Sequence, residues 1–264
     1  DAVDIVTPAV NHLALASECL RAGKDCFVEK PLTLTVAEGR ALADVVRSTT
    51  RVLQVGHIFR FHPVTELLRE RIKSGRVGAV RYCTGRFAGF KRPRHDVGVT
   101  QTDGIHYFDL FAYLLERNPT AVTATLRDFL GRGMDDVGFC AVEYGQVPVF
   151  VEAGYFAPGT FRDLVIVGER ETLAANFGTG EVMIVANRHV KEGGTWKALD
   201  GAAETHKASG PEPLRHELKL FLDACAGRTA PAVDVEAGLL ALQVVEAAHR
   251  SSELGRRVEL SELD

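Results

Sequence analysis

The chain has 264 residues, which is enough for one large domain or two of modest size. Hydrophobic residues make up 46% and charged residues 25%, as in an ordinary globular protein, and no apolar run approaches the roughly 20 residues of a membrane span. The net charge of −4 provides no basic surface for nucleic acid or an anionic membrane. The five cysteines are scattered, so we expect reduced core thiols in a cytoplasmic protein.

The first 58 residues alternate between strand and helix patterns. Short apolar runs at 3–6, 26–29 and 52–55 are predicted strands, and apolar residues at helical spacing separate them. Thr35 and Glu38 form a capping box at the start of the second helix. The pattern predicts two βαβ units of a parallel sheet whose strand ends face one crevice, where such sheets bind ligands.

The glycine-rich turn that normally opens a dinucleotide-binding sheet is not found in the sequence. The Gly-x-Gly stretches at 131–133 and 178–180 lie among later strand patterns with no helix after them. We therefore expect that the sequence begins inside a Rossmann domain and that the first half of this domain is absent.

The pattern changes after residue 58. Helices are predicted at 63–73, 105–115, 213–226 and 235–252, and strands at about 80–90, 121–129, 137–144, 147–157, 163–168, 172–177 and 181–187. Residues 190–212 are predicted to be an exposed loop. The fold class is thus a partial α/β Rossmann domain over 1–58, followed over 59–264 by an α+β domain with a large, mostly antiparallel sheet.

Several stretches resemble the Gfo/Idh/MocA oxidoreductases. They are DIVTPAVNHLALASECLRAGKDCFVEKPLTLT, GHIFRFHP, DGIHYFDLFAYLL and EPLRHELKLFLDAC. The resemblance implies NAD or NADP as cofactor and hydride transfer at a hydroxyl-bearing carbon of a sugar or polyol. KRPRHDVGV and YFAPGTFRDLVIVGERETLAANF look most like members that oxidise the 3-hydroxyl of UDP-N-acetylhexosamines.

The tripeptide Glu29-Lys30-Pro31 ends the second predicted strand. Pro31 restricts Lys30 to an extended backbone, and desolvation lowers the pKa of a lysine, which suits contact with the substrate oxygen or proton transfer. Glu29 is expected to accept hydrogen bonds from the nicotinamide ribose. The resemblance implies a cis Lys30-Pro31 bond, and the alternative from the residues alone is a solvated ion pair.

His106 is the second catalytic candidate, at the start of a predicted helix where the dipole favours the neutral imidazole. Asp109 lies one turn further on and is expected to orient His106 or to bind the sugar. The family often has an acid four residues before this histidine; that position is Thr102 here, and Asp103 follows it. Whether Lys30 or His106 accepts the proton stays open.

The remaining candidates come from the resemblance and from charge. Thr7, Pro8 and His12 match a cofactor-lining turn of the family, and Arg60 matches a residue that contacts substrate or cofactor. The predicted substrate-binding residues are Arg92, Arg94 and His95, which suit a diphosphate, together with Thr102, Asp103, Asp109 and Arg162. His57 and His62 are too isolated to predict a metal site.

The leading hypothesis is an NAD(P)-dependent dehydrogenase acting on a nucleotide sugar or sugar. The alternatives are an inositol, polyol or free-sugar dehydrogenase, a catalytically silent NAD(P)-binding or regulatory protein, and a chain that does not bind NAD because half its sheet is missing. The resemblance implies a homodimer or homotetramer that pairs through the open face of the large sheet.

Overall fold

A computed structural model describes residues 2–263. The first part of the chain is β1 (Ala2–Ile5), α1 (His12–Arg21), β2 (Asp25–Glu29), α2 (Val36–Arg47) and β3 (Leu53–Gly56). These strands form a parallel sheet in the order β1-β2-β3, with Ile5 beside Val28 and Val28 beside Val55. Thr35 accepts a hydrogen bond from the Glu38 amide and completes the predicted capping box of α2. The predicted βαβ units are therefore confirmed.

The second part of the chain forms a nine-stranded sheet and four helices. The elements are α3 (Pro63–Lys73), β4 (Val80–Gly89), α4 (Ile105–Leu115), β5 (Ala121–Arg127), β6 (Val137–Tyr144), β7 (Val147–Gly154), β8 (Thr160–Gly168), β9 (Thr172–Asn176), β10 (Glu181–Val185), β11 (Arg188–Glu192), β12 (Thr195–Leu199), β13 (Ala203–Lys207), α5 (Pro213–Cys225), α6 (Val235–Leu254) and β14 (Val258–Glu259). The sheet order is β13-β10-β9-β8-β4-β7-β6-β5-β14, and only the β4–β7 pair is parallel. The predicted mostly antiparallel sheet is confirmed.

Helices cover only one face of the large sheet. A Cβ atom at Gly85 of β4 would lie 2.7 Å from the Tyr107 ring of α4, so this helix packs directly on the strand. The opposite face carries Phe139 and Phe150, whose side chains are about half exposed. The sheet therefore has one buried face and one open face, as antiparallel sheets commonly do.

The prediction of a loop at residues 190–212 is wrong. β11 and β12 form a separate hairpin there, and β13 joins the edge of the large sheet beside β10. The hairpin turn is Gly193-Gly194, both at positive φ, which is the geometry of a tight two-residue turn. Because most side chains of these strands are exposed on both faces, the sequence lacks the alternation that marks a strand.

α6 belongs to both hydrophobic cores. Its first half places Leu239 and Leu242 against the three-stranded sheet, and its second half places Val245 and Ala248 against the large sheet. This helix therefore packs on both sheets and contributes to the core of each part of the chain. The predicted domain boundary between residues 58 and 59 stays a prediction. Within residues 2–263, no helix is both long and apolar enough to cross a membrane.

A carboxyl group is buried where α5 packs against the three-stranded sheet. Glu217 has no exposed surface, and neither of its carboxyl oxygens has a hydrogen-bond partner within residues 2–263. Burial, followed by the charges of Glu29 and Asp109, raises the pKa of Glu217 from 4.5 to about 9. The folded protein therefore holds a proton there that the unfolded chain releases as the pH rises above 4.5.

We expect the Glu217→Gln variant to remove part of the pH dependence of stability. Between pH 4.5 and about 9 the contribution of Glu217 to the wild-type free energy of unfolding falls with rising pH, because at this group the unfolded state binds fewer protons. The stability of the variant relative to the wild type should increase by roughly 2–3 kcal/mol from about pH 5 to about pH 7. Urea unfolding at both pH values measures this, and a constant difference between the two proteins would contradict the assignment.

Candidate active site

The carboxyl ends of the three parallel strands meet at one edge of the small sheet. β1 leads into Thr7 and Pro8, whose side chains are exposed, and β2 ends at Glu29 beside Gly56 of β3. The predicted crevice lies at this edge of the sheet. Lys30, which follows Glu29 and is half-buried, lies at the same edge.

Lys30 is directed into the second part of the chain. Its Nζ donates a hydrogen bond to the Thr102 carbonyl oxygen at 2.8 Å, and the Lys30-Pro31 bond is cis as the resemblance implies. Burial lowers the pKa of Lys30, although the nearby Asp103 and Glu29 oppose this change. A desolvated ammonium held by a carbonyl group is suited to stabilise a negatively charged oxygen.

Glu29 keeps one carboxylate oxygen free for a ligand. Its Oε2 accepts a hydrogen bond from the Lys30 amide at 3.1 Å, while no residue of the described chain binds Oε1. Burial raises the pKa of Glu29 and the adjacent Lys30 lowers it. A Cβ atom at Gly56 would lie 3.2 Å from the carboxyl group, so the glycine leaves it room. Glu29 thus fits the expected role as an acceptor for ribose hydroxyls.

His12 contacts the backbone of two loops, and its expected contact with the cofactor stays a prediction. The side chain is buried, with Nδ1 2.9 Å from the Pro31 carbonyl oxygen and Nε2 2.9 Å from the Thr7 carbonyl oxygen. Both ring nitrogens therefore face backbone groups, and His12 connects the turn after β1 to the loop after β2. The sequence does not show that these two loops converge, so this connection by His12 is visible only in the fold.

A π-helical turn at Thr100–Gly104 precedes α4 and positions the two candidate residues Thr102 and Asp103. Thr102 contributes its backbone oxygen to Lys30, and its side chain is buried. Asp103 is also buried, and its Oδ2 lies 2.6 Å from Nζ of Lys91. Thr102 thus stands four residues before His106, and the acid that follows it in this widened turn, Asp103, pairs with Lys91.

His106 lies in a cluster of nearly parallel rings. Its ring centre is 4.8 Å from that of Phe59 and 5.4 Å from that of Phe87, and its Nδ1 is buried without a hydrogen-bond partner in the described chain. Burial, followed by the charge of Lys30, lowers the pKa of His106 well below its ordinary value. The imidazole is therefore neutral at physiological pH, the state in which it can accept a proton.

Asp109 and Arg60 are paired with each other by two hydrogen bonds. Arg60 Nε donates to Asp109 Oδ2 at 2.8 Å, and Arg60 Nη2 donates to Oδ1 at 2.5 Å. His57 Nδ1 lies 3.8 Å from the same carboxylate, and burial lowers the pKa of His57 to about 4. Asp109 is thus a partner of Arg60, while the expectations that it orients His106 or binds the sugar, and that Arg60 contacts substrate or cofactor, stay predictions.

We expect the Asp109→Ala variant to be about 3–5 kcal/mol less stable, because it leaves the largely buried Arg60 guanidinium without its counter-charge. Asp44→Ala is the matched control, since Asp44 forms an exposed ion pair with Arg47 on α2 and should change stability by less than about 1 kcal/mol. Urea unfolding measures both variants. Equal effects of the two substitutions would contradict a structural role for the Asp109–Arg60 pair.

The predicted diphosphate loop is exposed, and its cations are partly neutralised. Arg94 donates two hydrogen bonds to Asp96, at 2.8 and 2.6 Å, whereas Arg92 Nη2 lies 2.6 Å from Nε2 of His95. Arg92 and His95 therefore remain candidates for a phosphate ligand, and Arg94 is already bound to a carboxylate.

Arg162 is close to His106, and Lys91 is a nearby residue that the sequence did not single out. Arg162 stacks on Phe87, the ring that also contacts His106. Lys91 lies two residues after the end of β4, outside the regular strand, and its Nζ is 4.8 Å from the ring centre of Phe87.

The fold and the crevice define a Rossmann-type oxidoreductase, and sequence comparison agrees. Residues 1–57 match the model described as "Oxidoreductase family, NAD-binding Rossmann fold", and residues 65–174 match the Gfo/Idh/MocA C-terminal domain. The chain belongs to the Gfo/Idh/MocA oxidoreductase family.

Named relatives act on sugars or cyclic polyols. The UDP-N-acetylglucosamine 3-dehydrogenase of Acidithiobacillus ferrooxidans is 39% identical over 125 residues, which are 47% of this chain and 39% of that protein. The inositol 2-dehydrogenase of Rhizobium meliloti is 29% identical over 99% of this chain and 81% of its own length. A solved structure of a UDP-N-acetylglucosamine 3-dehydrogenase from Acidithiobacillus ferrooxidans superposes with a TM-score of 0.80 at 26% identity, covering 96% of this chain and 79% of that one. The first alignment thus spans less than half of the relative's length.

Proposed function

We propose that the protein is an NAD(P)-dependent dehydrogenase that oxidises a hydroxyl-bearing carbon of a sugar or nucleotide sugar. The observation that carries this proposal is the desolvated Lys30 ammonium at the ends of the parallel strands, held by the π-helical turn that leads to the neutral His106. Alcohol oxidation requires a proton acceptor and a positive charge near the developing alkoxide. His106 and Lys30 supply these two functions.

The strand-end residues fit a dinucleotide. Glu29 offers its free Oε1 to ribose hydroxyls, and the exposed Thr7 and Pro8 line the same crevice. Bound NAD(P) supplies the hydride acceptor. His106 accepts the hydroxyl proton, and Lys30 retains its proton and stabilises the charge on the substrate oxygen. The Thr102 carbonyl group supports this division of roles, because an acceptor oxygen favours the charged form of the lysine.

The substrate class rests on the relatives and on the exposed basic loop. The names of two relatives indicate a UDP-sugar and an inositol as their substrates. Arg92 and His95, together with Arg94 once it is released from Asp96, are suited to the diphosphate of a nucleotide sugar. An inositol or free-sugar dehydrogenase is the second candidate, favoured by the longer alignment with the inositol enzyme.

We also propose a homodimer or homotetramer that forms through the open face of the large sheet. This face carries the exposed Phe139 and Phe150 around a depression of about 510 Å³. An apolar surface of this kind is typical of a protein interface. All five cysteines are free thiols, which supports the expected cytoplasmic location. Analytical ultracentrifugation of the wild type and of a Phe139→Asp variant tests the oligomer, since the variant should dissociate.

Reduced cofactor formation tests the proposed reaction. The full-length protein is incubated with NAD or NADP and, in turn, UDP-N-acetylglucosamine, myo-inositol and a series of free sugars. We expect reduced cofactor with at least one of these compounds. Tight cofactor binding by calorimetry without turnover of any compound would instead support a catalytically silent NAD(P)-binding protein.

A further inference from the structure

Two cations lie against one ring next to the catalytic histidine. The guanidinium carbon of Arg162 is 3.3 Å from the ring centre of Phe87, and Nζ of Lys91 is 4.8 Å from it. The same ring centre lies 5.4 Å from that of His106. Arg162, Lys91 and His106 therefore surround Phe87 on the side of the sheet that faces α4.

Arg162 forms no ion pair within 4.0 Å among residues 2–263, although the carboxylate of Asp103 acts on it from a greater distance. Its Nη1 donates to the Phe161 carbonyl oxygen at 2.6 Å and lies 3.4 Å from that of Ala88, while Nε and Nη2 have no partner among these residues. Burial lowers the pKa of Arg162, with Asp103 the strongest opposing charge. Neither Nε nor Nη2 is among the buried unpaired atoms, so both donor groups are open to solvent and to a ligand.

Lys91 contributes a second positive charge, which is paired with a carboxylate of the protein. Its Nζ lies 2.6 Å from Asp103 Oδ2, so the Lys91–Asp103 pair is close to neutral as a unit. Both Lys91 and Arg162 lower the pKa of Asp103, which indicates that the two cations face the same carboxylate. Lys30 also lowers the pKa of Asp103, so three cations act on this one carboxylate. The net charge of these four side chains is therefore positive.

We propose that Arg162 and Lys91 form a subsite for an anionic group of the substrate, a phosphoryl or carboxylate group within a few ångströms of the reacting carbon. The inference rests on the proposed function for the identity of the substrate as a sugar. Arg162 is the main contact, because its Nε and Nη2 can bind two oxygens of one anion. Lys91 is the second contact, and Asp103 holds it in place.

Paired sugars that differ in one anionic group test the subsite. Dissociation constants are measured by calorimetry, with cofactor present, for glucose, glucose 1-phosphate and glucuronate. The full-length wild type should bind one of the two anionic sugars at least about tenfold more tightly than glucose, and the two anions distinguish a phosphoryl from a carboxylate source. Arg162→Gln should reduce this ratio by about tenfold or more, Lys91→Gln by a smaller factor, and Arg162→Lys should retain part of it.

The control is Arg188→Gln, an exposed arginine on β11 that should leave the ratio unchanged. Equal affinity of the wild type for neutral and anionic sugars would overturn the subsite, as would an equal loss of both affinities in Arg162→Gln. The dissociation constants can be measured without turnover. The test of the subsite and the test of the proposed reaction can therefore fail independently of each other. Absence of cofactor reduction contradicts the reaction alone, whereas absence of anion preference contradicts the subsite alone.

Discussion

Replacement of Lys30 by alanine is expected to lower the turnover number by about 10²–10³-fold in the full-length protein. The variant removes the ammonium group that Thr102 holds at 2.8 Å and with it the positive charge that would stabilise the substrate alkoxide. Steady-state kinetics on the compound identified in the sugar panel gives the effect on kcat and KM separately. The loss should appear mainly in kcat, since this charge stabilises the transition state more than the bound substrate.

Lys219→Ala provides the matched control for Lys30. Lys219 is an exposed lysine on α5 that pairs with Asp223 one helical turn away, so its removal should leave kcat within about twofold of the wild type. A Lys30→Met variant keeps most of the side-chain volume and should behave like Lys30→Ala, which separates loss of charge from loss of packing. Near-wild-type turnover in both Lys30 variants would exclude this lysine from the chemistry.

Replacement of His106 by asparagine is expected to lower kcat by about 10²–10⁴-fold, the usual contribution of a positioned general base. The ring packs against both Phe59 and Phe87, and burial keeps it neutral. Asparagine fills part of the same space but cannot accept the proton. The fold of the variant is checked by its urea midpoint, because a shift of the midpoint would indicate lost packing.

The pH dependence distinguishes His106 from Lys30 as the proton acceptor. Because burial lowers the pKa of His106 well below its ordinary value, the wild-type rate should be constant near neutrality and fall only at a pH below that range, where the imidazole becomes protonated. On the alkaline side the rate should fall as Lys30 loses its proton, at a pH below the ordinary value for lysine. A rate that instead rises with pH through the pKa of Lys30 would identify Lys30 as the acceptor.

The architecture follows closely from local sequence patterns. α3 and α4 begin and end where the apolar spacing predicts, and the capping box at Thr35 marks the start of α2. β2 and β3 are buried on both faces, so their short apolar runs are recognisable without their neighbours. β11 to β13 escaped prediction because their mostly exposed side chains give no periodic signal, although Gly193-Gly194 is a typical hairpin turn.

The sequence predicts which residues belong to the candidate site better than it predicts the hydrogen-bond partners of those residues. Lys30, Glu29 and His106 can be identified from their places after a strand or at the start of a helix. The roles of Arg60, Asp109 and His12 depended on which groups the tertiary structure brings within hydrogen-bond distance, and their motifs do not encode this. The π-helical turn that places Asp103 next to Lys91 likewise has no signature in the sequence.

Transfer of deuterium tests the central claim that this crevice performs hydride transfer. The sugar that is turned over is deuterated at the oxidised carbon, and the reduced cofactor formed by the full-length protein is examined by mass spectrometry. We expect deuterium on the nicotinamide ring with the wild type and at least about 10²-fold slower appearance with Lys30→Ala. Reduced cofactor without deuterium, or equal rates of deuterium transfer in the two proteins, would contradict the assignment of hydride transfer to the Lys30 crevice.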